Sequence, residues 1–182
     1  MMIGFFVAES GCGTPLRLEE FIMKRVTTML VAVAGLFLLF MSGCSSDPVK
    51  ADIISYSKNT IPLINKFDDE IGKKLDEISK ENDKTVFVNK IKNEILPLLK
   101  NVRDKVAAVN TKSKELQDVN QMFLGMLNTM ETGMVSLAGS IENNNQAMYK
   151  DALDKINTCQ QTENKFKEAF KVLANKHDVV LE

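Results

Sequence analysis

From residue 52 to residue 176 the apolar side chains recur at helical spacing, and no other pattern in the chain competes with that rhythm. Ile64, Ile71 and Ile78 stand seven residues apart, with Phe67 and Leu75 on the same face. A second stripe runs through Val88, Ile91, Ile95, Leu98, Leu99, Val102 and Val106. A third joins Leu116, Phe123, Met130 and Leu137, flanked by Val119, Met126 and Ile141. A fourth follows Ala152, Ile156, Cys159, Phe166, Phe170 and Leu173. Each stripe is what a helix needs to bury one side against neighbours while its other side stays solvated.

Polar breaks separate the stripes: "KENDK" at 80–84, Asn110-Thr111, and "ENNNQ" at 142–146, the last rich in capping residues. Helix four is expected from Gln146 to Lys176. Short connections force neighbouring helices to run antiparallel, so the expected fold is all-α, an antiparallel up-down four-helix bundle. A three-helix bundle, a helical hairpin with a loose first helix, and a long two-stranded coiled coil are the alternatives. The one β-like stretch, "TVFV" at 85–88, leads into a helix. Pro62 and Pro97 occupy matching places in "IPLINKFDDEI" and "LPLLKNVRDKV", and each should kink its helix or restart it one turn earlier. On helix one, Asp69 precedes Lys73 and Glu70 precedes Lys74, which suits ion pairs along an exposed face.

Upstream of the bundle the character changes. Val26 to Gly43 is almost wholly apolar and follows Lys24 and Arg25, as in the charged and hydrophobic regions of an export signal. It is about as long as the shortest membrane-spanning helices, which makes an uncleaved anchor the rival reading. The segment ends at Met41-Ser42-Gly43-Cys44, which resembles the lipobox of bacterial lipoproteins: an aliphatic residue, two small ones, then cysteine. The resemblance implies that diacylglycerol is placed on the Cys44 thiol and that the chain is cut between Gly43 and Cys44. It divides the chain into a signal peptide at 23–43, a lipidated cysteine with its tether at 44–51, and a bundle domain at 52–182. Each buried methylene contributes about 0.8 kcal/mol, so two or three acyl chains hold a protein stably at a membrane. The layout and the Lys/Asn/Ile-rich composition are also similar to those of small all-helical lipoproteins of Gram-positive bacteria. Residues 1–22 are read as a mis-assigned start, with Met23 as the true first residue. Leu18-Glu19-Glu20 can be encoded by a purine-rich sequence of the kind that binds ribosomes.

The whole chain carries 23 basic and 24 acidic residues. The part before Cys44 holds Arg17, Lys24 and Arg25 against Glu9, Glu19 and Glu20, so the domain behind it is near neutral. That excludes the basic footprint of a nucleic-acid binder and the polybasic patch of a peripheral membrane protein. Membrane attachment is left to the lipid. Cys159 is then the single thiol of an extracytoplasmic domain. Its place on an apolar stripe makes it a small buried hydrophobe, with pairing to another chain as the alternative.

Residues that could carry chemistry are few. His177 is the only histidine, at the end of helix four, where a positive charge complements the helix dipole. No HExxH or GxSxG motif is present, and the carboxylates fall on charged faces at helical spacing, so no catalytic residue is expected and the chain is not read as an enzyme. Tryptophan is absent, and aromatic platforms for sugar chains are scarce. Met122, Met126, Met130 and Met134 form a ladder at steps of four, which raises copper(I) or a small apolar ligand against the simpler role of filling core space. Gly125, Gly133 and Gly139 thin the same helix. No metal or cofactor is assigned. The sequence thus points to a lipid-anchored, extracytoplasmic, non-catalytic module that binds an unknown envelope protein, with a ligand at the methionine ladder as the second reading and self-association as the third.

Overall fold

The computed structural model describes residues 47–181, and over these every regular element is a helix, with no strand. The expected start at Met23, the expected signal peptide at 23–43 and the expected cleavage and lipidation positions Gly43 and Cys44 lie outside the described residues. Helix α1 spans Pro48–Asn59. Asp47 starts it: its Oδ1 accepts the Val49 amide at 2.9 Å, and Pro48 fills the first position, where a missing N–H costs nothing. The helix therefore begins four residues before the apolar periodicity does, and residues 48–50, expected as tether, form its first turn.

Where one first helix was expected, there are two. Helix α1 stops at Thr60 and α2 runs Ile61–Ser79, because Pro62 cannot extend the hydrogen-bond ladder of the preceding turn. Helix α3 (Lys84–Lys90) contains the whole "TVFV" stretch and is capped by Asp83, whose Oδ1 accepts the Thr85 amide at 2.7 Å. It passes into a π-helical segment, Ile91–Ile95, and then into α4, Leu96–Ala107. The Leu96 amide reaches back to the Ile91 carbonyl, one residue further than in an α-helix. That widening lies just before Pro97 and lets the helix pass the proline without breaking. The two prolines share a sequence setting but not a structural outcome.

Helix α5 (Lys114–Glu142) carries the third stripe, and α6 (Gln146–Lys176) has the expected bounds. Between them Asn144 adopts φ 50°, a left-handed conformation that asparagine tolerates at a helix end, and the Asn145 amide returns to the Ser140 carbonyl at 2.9 Å.

Cross-helix pairs give the directions. Along α5 and α6, Glu115 meets Lys176, Phe123 meets Phe166 and Gly139 meets Met148, so the two run antiparallel. The α4 side pairs Arg103 with Glu131, and the π segment pairs Lys92 with Glu142, again antiparallel to α5. Helix α1 runs in the same direction as α5: Asp52 accepts the amides of Lys112 and Ser113, and the Tyr56 hydroxyl donates to Asn120 Oδ1 at 2.8 Å. Lys74 reaches across to Glu94 at 2.7 Å instead of closing on Glu70 of its own helix. One end of the molecule holds Asp47, the 108–113 connection and His177. The other holds the turns at 80–83 and 142–145.

The core is continuous, from Ile53 and Tyr56 on α1 through Ile95, Leu99, Leu116, Phe123 and Leu127 to Cys159 and Phe170. Burial of Ile53 and Tyr56, with the Tyr56 ring 5.6 Å from that of Phe170, docks α1 on the rest. Among the described residues no helix is long and apolar enough to cross a membrane.

Candidate functional site

A cleft of about 650 Å³ opens at the end that carries the 80–83 and 142–145 turns. Three parts of the chain build it. The first turn contributes Glu81 and Asn82, the start of α3 contributes Lys84 and Phe87, and the α5–α6 junction contributes Ile141, Asn144, Gln146 and Tyr149. The caps fix this geometry: Asp83 starts α3, Asn144 ends α5 in the left-handed region, and Asn145 Oδ1 accepts the Met148 amide at 3.0 Å to start α6.

Among the described residues two charged ones line the cleft, Glu81 and Lys84, and the first is paired. Glu81 accepts from Lys90 at 3.4 Å and from the Asp83 amide at 3.2 Å, and nearby Glu142 holds Lys92. Ser79 and Ser140 donate to carbonyls of their own helices at 2.7 Å. Phe87, Ile141 and Tyr149 supply the apolar lining, and burial pushes the Tyr149 phenol above its usual pKa, so it remains a neutral donor.

The residues singled out in the sequence lie elsewhere. Met126, Met130 and Met134 are buried in the core, whereas Met122 is 41% exposed. The ladder is therefore not one face: a step of four advances a helix by 400°, and the stripe drifts 40° per step until its first member leaves the core. The three inner methionines are packing residues. Gly133 has a reason of its own, since a Cβ there would sit 3.1 Å from Ile156 Cγ1, so it allows α5 and α6 to approach closely. Gly125 faces open space.

Cys159 is fully buried, its Sγ directed at the Lys155 carbonyl at 3.3 Å, and burial pushes the thiol up to about 12. A disulfide with a second chain, left open by the sequence, would require the core to open.

His177 does end α6, but its surroundings were not legible in the sequence. Nδ1 lies 2.7 Å from Asp47 and Nε2 lies 3.2 Å from Glu115, which joins three distant segments into one clasp. The hydrogen bond with Asp47 chiefly raises the imidazole pKa and lowers that of the Asp47 carboxyl.

The expectation that every carboxylate lies on a solvated face also needs correction. Glu163 on α6 is only 6% exposed and pairs with Lys167. Asp68 on α2 stands close enough that burial, aided by the Glu163 charge, pushes it up to about 7. Neither residue lines the cleft. Among the described residues no cluster of three histidine, cysteine or acidic side chains is arranged to hold a metal.

The chain matches no protein-family model, no curated protein and no solved structure.

Proposed function

We propose that this chain is a lipid-anchored, non-catalytic binding module of a bacterial cell envelope, built as an up-down-up-down four-helix bundle that offers its turn-bearing end to a partner. The alternating directions of successive helices support that arrangement. The carrying observation is the position of the cleft. It lies at the end of the molecule opposite Asp47, and Asp47 follows the candidate lipidation site Cys44 by three residues.

Three residues span at most about 10 Å, so a lipid on Cys44 holds the His177 end against the bilayer and turns the cleft outward. The His177–Asp47 contact strengthens this orientation by tying the start of α1 to the end of α6. A near-neutral surface leaves attachment to the acyl chains.

Two measurements test the reading. Intact mass of the protein purified from a bacterial host should give a chain that begins at Cys44 with a thioether-linked glyceride, and Cys44→Ala should abolish membrane retention. A leader still attached with a bare thiol at Cys44 would refute it. Asn144→Cys should react with a membrane-impermeant maleimide on intact cells or, in a host with two membranes, on spheroplasts. Protection of that position, with labelling of Lys112→Cys at the other end, would refute the orientation.

A further inference from the structure

We infer that the cleft binds a neutral saccharide, held mainly by side-chain carboxamides. The inference rests on the binding-module reading above and names the ligand class of the same site. It comes from an inventory of which polar groups in the cleft are already engaged. Ser79 and Ser140 have given their protons to backbone carbonyls, and Glu81 is shared between Lys90 and the Asp83 amide. Asn145 has used its oxygen to cap α6 but not its amide nitrogen.

Three solvent-exposed side chains that line the cleft, Asn82, Asn144 and Gln146, make no hydrogen bond to any described residue. Each presents one acceptor oxygen and two donor protons side by side. Vicinal hydroxyls and acetamido groups on a sugar ring offer the same paired donors and acceptors, and they carry no charge.

Other ligand classes fit less well. An anion would meet Lys84, but Glu81 lines the same cleft and α3 begins at the carboxylate of Asp83. A purely apolar ligand would leave the carboxamides desolvated without partners, at a cost for each one. A protein partner is usually gripped through an aromatic or arginine anchor in a desolvated socket. Here Phe87 is already buried in the core, and among the described residues Tyr149 is the one aromatic that is only partly covered. A single half-exposed ring suits the apolar face of one sugar unit. The cleft volume falls within the range of about 300–1,000 Å³ typical of small-molecule sites. Sequence alone argued against sugar binding because stacking platforms are few. Hydrogen bonding from one turn to the other replaces stacking as the main source of recognition.

The test uses the full chain, ¹⁵N-labelled in detergent micelles, titrated with a tetramer of N-acetylglucosamine and with a tetramer of glucose. At least one should shift the side-chain amide signals of Asn82, Asn144 and Gln146 in a saturable way. Asn82→Ala, Gln146→Ala and Asn144→Gly, the last keeping the left-handed backbone, should each weaken that binding roughly fivefold, the worth of one neutral hydrogen bond. Gln121→Ala, on the exposed face of α5 toward the other end, should leave it unchanged. The saccharide assignment is overturned if neither tetramer shifts these signals, or if the cleft variants bind as the parent does. A tetraalanine peptide that shifts the same signals while the sugars do not would overturn the ligand class and leave the binding-module reading in place. Protection of Asn144→Cys on cells would instead remove the module reading, whatever the sugars do.

Discussion

The hydrogen bond from the Tyr56 hydroxyl to Asn120 Oδ1 decides whether the first helix belongs to the core. It is 2.8 Å long, and the two residues are 2% and 5% exposed. The Asn120 amide nitrogen continues the link to the Val106 carbonyl at 3.4 Å, so one buried side chain joins α1, α4 and α5. Tyr56→Phe removes the donor and keeps the ring beside Phe170. Asn120 Oδ1 would then be buried with no donor, at a cost of about 1–3 kcal/mol. With an m-value of roughly 2 kcal/mol/M, the urea midpoint should fall by about 0.5–1.5 M with no change in slope. A cycle with Asn120→Ala separates the bond from the general effect of each change, and a coupling of about 1 kcal/mol is expected. Burial raises the phenol pKa, so the donor stays protonated well into alkaline solution and the effect should not depend on pH below 9. If Tyr56→Phe unfolds within about 0.5 kcal/mol of the parent, the bond is not sustained in solution and α1 is not docked as described.

Three further expectations follow from particular contacts. Gly125→Ala should stabilise the protein by up to about 1 kcal/mol in chemical unfolding, because the new methyl meets open space in mid-helix. Gly133→Ala should not, because its Cβ would meet Ile156 Cγ1 at 3.1 Å and push α5 from α6; equal gains at both sites would refute the close approach. Thr60→Val should raise stability by about 1–2 kcal/mol, since Thr60 Oγ1 is buried without a partner at the α1–α2 break and caps nothing; a loss of stability would mean the hydroxyl is satisfied in solution. The raised pKa of Asp68 gives the pH dependence its sign. A carboxyl whose folded pKa exceeds its unfolded value near 3.8 adds stability below that value, and this is lost as pH rises through about 7. His177, also raised, acts in the same direction above pH 6.5. The lowered carboxyls of Asp47, Glu94, Asp104 and Glu115 act the other way only up to about pH 5, so stability should decline between about pH 5.5 and pH 8, and Asp68→Asn should flatten much of that decline; an unchanged slope would show that Asp68 is solvated.

Much of the fold was legible in local pattern. The stripes from Ile64 to Leu173 correspond to the buried faces of the helices, and the expected bounds of α6 agree with the structure. The failures concern what happens at particular residues. Pro62 and Pro97 look alike in sequence because a proline's constraint on its own backbone is local. Whether the chain then breaks or widens depends on what the neighbouring turn packs against. The methionine ladder drew attention because spacing by four looks like a face, but the drift of the stripe put Met122 outside the core and left the other three as packing. The cleft was not anticipated: the expected up-down bundle puts the turns at 80–84 and 142–146 at one end, but Asn82 and Asn144 read only as turn residues, and local pattern does not say that the two turns leave a cleft between them.

The sequence by itself determined that the chain is helical, where its polar turns fall, that its net charge is near zero, and that an apolar stretch runs into Met41-Ser42-Gly43-Cys44, which resembles a lipobox. These are matters of periodicity, propensity and composition, which short stretches carry. Only the tertiary structure decided that His177 is held between Asp47 and Glu115, that Asp68 meets Glu163, and that uncommitted carboxamides gather around one cleft. Such meetings join residues about 60 to 130 positions apart, and only the packing of whole helices sets those distances.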